Sequence, residues 1–211
     1  MVIGNLDQLY FYPNKMGRIV ILALEEVIGQ NSVNLVLSRA KLSHYIGNYP
    51  ADNLDMNFGF SDLSQLQVAL EQLYGPRAGH GIALRSGRVC FKYGLREFGP
   101  MLGFTDLAFR LAPLDVKLRS GAEVFADIFN RFTDQRVRVE EDGDFLMWHI
   151  DTCPVCWQRT TDTPVCHLAV GILQESLYWV SGGKIFKVEE TDCIAKGDPS
   201  CTIVIHKQAL D

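Results

Sequence analysis

The chain has 211 residues, of which 47% are hydrophobic, 21% charged and 10% aromatic, a balance that supplies ample core and excludes global disorder. Twenty Lys and Arg against 25 Asp and Glu leave a net charge of −5, which disfavours generic binding of nucleic acid through a basic surface. Nowhere does an apolar run approach the roughly 18–20 residues that a transmembrane helix needs.

The opening MVIGNLDQLYFYPNK lacks a charged region followed by an apolar stretch and a small-residue cleavage site, so the expected location is the cytoplasm. Ile19, Leu22, Ala23, Val27 and Ile28 recur at helical spacing and predict a helix over 15–29, stopped by Gly29. Ser32 caps a second predicted helix that runs to about Ile46, and NYPADNLDMNFG over 48–59 has the composition of a loop. Leu63, Leu66, Leu70 and Leu73 share one face of a third helix, which Gly75-Pro76 ends. A fourth is predicted over 77–98, and another between Leu114 and Phe132.

The period then changes. RVRVEE over 136–141 alternates strictly, Asp142-Gly143 signals a hairpin, and FLMWHI over 145–150 is the return strand. Helical spacing resumes from Cys166 to Val180 and stops at Gly182-Gly183. KIFKVE over 184–189 and CTIVIH over 201–206 form a second strand pair around the turn-rich 195–199. These elements predict one α+β domain over 1–211, an antiparallel sheet flanked by helices. A helical elaboration occupies about 1–110 and a metal-bearing half about 111–211. Charge divides likewise: residues 1–110 carry 10 basic and 9 acidic side chains, residues 111–211 carry 10 and 16. The acidic half suits a cation better than a phosphate.

Five of the six cysteines lie in that half, and in a reducing compartment clustered thiols point to metal or redox chemistry. Glu190-x-x-Cys193-x7-Cys201 surrounds one turn, and Cys166 opens the helix before it. Three thiolates and a carboxylate satisfy a tetrahedral zinc site, against the alternative of scattered buried thiols. Cys153-Pro-Val-Cys156 is less specific. It suits zinc, a 4Fe-4S cluster built with the other thiols, or a reversible dithiol, and its lack of a second CxxC excludes a zinc ribbon. Cys90, between Val89 and Phe91, reads as packing.

Pro164 to Ile205 resembles the signature half of the 4-vinyl-reductase-type domain, a hydrocarbon-binding module. The likeness rests on Cys166, Gly171, Gly182-Gly183-Lys184 and E-x-x-C-x-A-x-G-D-x-x-C, here Glu190, Cys193, Ala195, Gly197, Asp198 and Cys201. The family is related in fold to transport-protein-particle tether subunits. It includes a protein linked to bacteriochlorophyll synthesis and the sensor domains of aromatic-responsive activators. The resemblance implies structural zinc on Cys166, Glu190, Cys193 and Cys201, a homodimer, and a hydrophobic or tetrapyrrole-like ligand whose occupancy is passed to a partner protein. Pigment or photosynthesis-related metabolism is one implied setting, and a pigment vinyl reductase a weaker alternative without a nicotinamide or flavin motif in support. The phenol sensors use a His and a Trp in the pocket. Trp148 has a comparable place, but residues 100–132 contain no His. No ATPase or DNA-binding segment follows, so a complete activator is not expected.

Phe125, Phe129 and Phe132 share a helical face and, with Trp148, are the candidate pocket wall, joined by Phe104, Phe109, Phe145 and Trp179. Arg85, Arg88, Lys92 and Arg96 form a positive stripe suited to an acidic partner, a ligand carboxylate or an anionic surface. His167 is a substitute metal ligand, and no hydrolytic nucleophile motif is present.

Overall fold

Two hairpins, each joined by a turn that the sequence marks, combine into one four-stranded antiparallel sheet. The computed structural model describes residues 9–99 and 111–210, so Phe104 and Phe109 lie outside the described residues. Strands β3 (Arg136–Asp142) and β4 (Phe145–Thr152) turn through Gly143, at φ 54°, a left-handed value that glycine takes without strain. Strands β5 (Phe186–Asp192) and β6 (Cys201–Ala209) form the other hairpin, and the order across the sheet is β3-β4-β6-β5. Trp148 pairs with Ile203 and Ile150 with Cys201. Alternation along β4 turns Leu146, Trp148 and Ile150 to the core, none more than 2% exposed.

The helices form successive layers over that face. Helix α5 (Leu114–Phe132) packs beside β3 and α6 (His167–Ser181) beside β5, α4 (Pro76–Phe98) lies along α6, and α1 (Asn14–Ile28) and α3 (Phe60–Tyr74) cover α4. Two helices touch backbone to backbone at the centre. A Cβ on Gly87 of α4 would meet the Leu168 carbonyl oxygen at 2.1 Å, and one on Gly171 of α6 would meet that of Leu84 at 2.0 Å. Pro76 opens α4, where its missing N–H costs no hydrogen bond.

Three expectations change. Helix α2 spans Gln30–Arg39, well short of Ile46. Lys41, at φ 61°, turns the chain out of the helix, with Leu42 N–H donating to the Leu37 carbonyl at 2.8 Å, and a 3-10 turn over Ser43–Tyr45 follows. The segment read as loop over 48–59 ends in strand β2 (Met56–Gly59), which pairs antiparallel with β1 (Phe11–Pro13). Strand β5 begins two residues later than predicted, and both β5 and β6 run three residues further. Among the described residues no helix is long and apolar enough to cross a membrane.

Candidate metal centre and ligand cavity

Three segments bring all five cysteines of the second half to one buried point. The chain leaving β4 supplies Cys153 and Cys156, and the residue before α6 is Cys166. The β5–β6 turn supplies Cys193, and Cys201 opens β6. Each is at most 1% exposed and none is in a disulfide. Sulfur separations are 3.6 Å for Cys153 to Cys166, 3.4 Å for Cys156 to Cys201, 3.7 Å for Cys166 to Cys201, and 3.9 Å from Cys193 to both Cys166 and Cys201. A tetrahedral ion with metal–sulfur bonds of roughly 2.3 Å needs ligand sulfurs about 3.8 Å apart. These residues are close enough to hold a metal ion.

Glu190 joins them because the β-strand period turns it to the same face as Val188. Its Oε2 accepts the Cys166 backbone N–H at 2.7 Å, while its Oε1 is buried without a hydrogen-bond partner. Burial, reinforced by the Cys193 thiol beside it, pushes the Glu190 carboxyl up to about 8, against the pull of the Cys166 N–H. The turn carrying Cys193 is fixed by the Asp198 carboxylate, which accepts the Cys193 N–H at 2.9 Å, and by Gly197 at φ 102°. Ile194 donates its N–H to the Cys201 sulfur at 3.3 Å, a bond that favours the thiolate.

The sequence separated Cys153 and Cys156 from the Glu190-x-x-Cys193-x7-Cys201 group, and the structure merges them. Thr161 N–H donating to the Ala195 carbonyl at 2.9 Å ties the loop to the turn, and Arg159 binds the Glu71 carboxylate at 2.6 Å. His167 stacks on His80, ring centroids 4.0 Å apart, and burial, aided by His80, pushes its pKa down to about 4.

Beside the cluster lies an apolar cavity of about 100 Å³. Phe125, Phe129 and Trp148 are on its wall, with ring centroids 5.6 Å apart for Phe125 and Trp148 and 6.2 Å for Phe129 and Trp148. Phe132 is not among the lining residues and packs on Phe98, centroids 6.4 Å apart. Sequence reasoning missed Tyr12, Gln135 and Val155, which also line it. The Tyr12 hydroxyl donates to the Gln135 side-chain carbonyl, and burial, then Cys153 and Cys90, raises the Tyr12 pKa. Cys90 lines the cavity as well, its thiol pushed up to about 12 by burial and so unreactive. Only the strand pairing of Tyr12, hidden in short β1, signals this polar pair. Two members of the positive stripe face α6 instead of an outside partner: Arg88 donates to Gln174 at 2.6 Å, and Lys92 lies 3.6 Å from Glu175.

The wall and the cluster share elements. Leu168, Ala169, Ile172 and Leu173 of α6 line the cavity directly after Cys166, and Val155 lines it between Cys153 and Cys156.

Residues 147–207 match the model of the 4-vinyl-reductase domain. No curated protein matches the chain. Among solved structures, the Fe(II) unliganded H-NOX protein from K. algicida superposes with a TM-score of 0.60 at 12% identity, over 92% of this chain and 95% of that one. An H-NOX structure from work on heme distortion gives 0.58 at 12%, over 94% and 97%. The phenol-responsive sensory domain of the transcription activator PoxR, solved with phenol, gives 0.51 at 19%, over 70% and 73%. At these identities the likeness is one of fold.

Proposed function

Residues 147–207 are a 4-vinyl-reductase domain, and from that premise we propose that the chain is a sensor module for a small, neutral, hydrophobic molecule, braced by zinc and acting through a partner protein. The observation that carries this reading is the shared wall: α6 and the Cys153–Cys156 loop each contribute both metal-ligating thiols and cavity-lining side chains. When bound, zinc supplies a cross-link between these segments and no chemistry on the ligand. Cys166, Glu190, Cys193 and Cys201, the set in the family signature, hold it. A four-iron cluster places its own sulfides between the thiolates and so spaces them more widely than ligands of one ion. The sulfur spacing therefore favours zinc.

Size chooses the ligand class. A cavity of roughly 150 Å³ lined by Leu, Ile and Phe takes up benzene. The cavity of about 100 Å³ suits a single ring and does not fit heme or another tetrapyrrole, and no His, Lys or Arg is among its described lining residues. The Tyr12–Gln135 pair offers one polar point, suited to a ligand hydroxyl. Self-association uses the end of α6 and the sheet edge beside it. There Tyr178, Ile185 and Leu210 are 48%, 54% and 67% exposed, and Leu210 N–H donates to the Ile185 carbonyl at 2.8 Å.

Benzene and phenol are the probes. Saturable binding is expected, with quenching of tryptophan fluorescence through Trp148. Stabilisation of about 2.7 kcal/mol is expected at a hundredfold excess over Kd, which is a rise of about 5–10 °C in Tm. Ala169→Phe, which fills the cavity, abolishes both responses. Absence of saturable binding by either probe contradicts the reading.

A further inference from the structure

Two sets of four ligands meet in the cysteine cluster. Cys153, Cys156, Cys166 and Cys201 form one, and Cys166, Glu190, Cys193 and Cys201 the other. Within each set the ligand atoms lie within 4.8 Å of one another. The sets share Cys166 and Cys201, whose sulfurs are 3.7 Å apart, the length of one edge of a zinc–thiolate tetrahedron. Two tetrahedra that share an edge need six ligands, two of them bridging, and the cluster contains five thiols and one carboxylate. We propose that it holds two zinc ions. Cys166 and Cys201 bridge them, Cys153 and Cys156 complete the first ion, and Glu190 and Cys193 complete the second.

A single ion leaves the arrangement unexplained. It takes four of the six ligands and leaves two soft or acidic groups buried without a role. With the all-cysteine set occupied, those are Cys193, at 0% exposure, and Glu190, whose Oε1 has no partner. With the other set occupied, they are Cys153 and Cys156, each at 1% exposure. Buried groups of this kind are costly when unpaired. Two divalent ions use all six. A thiolate sulfur has lone pairs enough for two metals, and a bridging position suits Cys166 and Cys201 because they alone belong to both sets. The resulting charge is −2, from four positive charges against six ligand charges, the same as one zinc with four thiolates but spread over more atoms. The backbone N–H of Ile194 on the Cys201 sulfur and the N-terminus of α6 at Cys166 offset part of it.

The inference rests on the zinc reading above, and metal counting separates the two. The protein is purified under reductant without chelator, washed through a weak chelating resin, and analysed for zinc per chain. The expected values are two zinc per chain for the native protein, and one each for Cys153→Ser/Cys156→Ser and for Glu190→Gln/Cys193→Ser. Exchange into 113Cd should give two resonances coupled through the shared sulfurs. One zinc per chain in the native protein, or a single 113Cd resonance, overturns the paired site and leaves the zinc reading standing. No zinc, or iron with a visible spectrum, overturns both.

Discussion

Glu190 shows how much a single residue's position can carry. Its spacing to Cys193 and Cys201 marked it as a ligand, and strand alternation explains why it faces inward. Its carboxyl, raised to about 8 by burial and the neighbouring Cys193 thiol, is protonated in the metal-free protein at neutral pH. Metal binding must displace that proton, so zinc affinity falls as pH falls below about 8, and one of the protons responsible belongs to Glu190. In Glu190→Gln the slope of log affinity against pH between 6 and 7.5 should be shallower by about one, as measured by competition with a chromophoric chelator. An unchanged slope removes Glu190 from the ligand set. The aromatic residues were legible only in part. Helical period placed Phe125, Phe129 and Phe132 on one face, but a face is wider than a cavity, and Phe132 is spent on Phe98. The convergence of Cys153 and Cys156 on Cys166 and Cys201 was hidden, because a ten-residue loop closes it and no spacing rule describes such a loop.

Among the elements, the crossing of α4 and α6 sets the cavity's width. Gly87 and Gly171 let the two helices approach until each presses on a backbone carbonyl of the other. A flexible side chain can swing away from an added methyl, but these carbonyls sit in helical hydrogen bonding, so the helices must part. Gly87→Ala and Gly171→Ala should each cost about 1–3 kcal/mol as overpacking, read as a lower urea midpoint. Gly81, on the same helix with open space where its Cβ would be, is the control. Gly81→Ala should stabilise by about 0.5–1 kcal/mol, because alanine loses less entropy in a helix. Equal effects at positions 81 and 87 contradict a backbone-contact crossing. Long periodic helices and both hairpin turns of the sheet were readable from the sequence. Strands β1 and β2 were not, since three or four residues are too few to establish a period and MNFG alone does not alternate. The early end of α2 escaped for a related reason: Lys41 takes the left-handed position that Gly or Asn normally announces.

At the scale of the whole molecule, the cluster and the cavity are two sides of one wall. Metal loss frees the Cys153–Cys156 loop, the start of α6 and the β5–β6 turn together, and the first two carry Val155, Leu168 and Ala169 into the cavity. Cys193→Ser and Cys201→Ser should therefore release metal, lower Tm and weaken ligand uptake together, although neither side chain lines the cavity. Thiol clustering and apolar surplus each signalled a site in the sequence, but their joint use of α6 emerges only when the loop and the helix are seen together. The most direct test is benzene affinity measured by calorimetry on the zinc-loaded protein, on protein stripped by chelator under reductant, and on the stripped protein after zinc is restored. At least tenfold weaker binding is expected on stripping, with recovery when zinc returns. Equal affinity in the loaded and stripped forms, with the stripped form still folded by circular dichroism, would contradict a cavity wall held by metal.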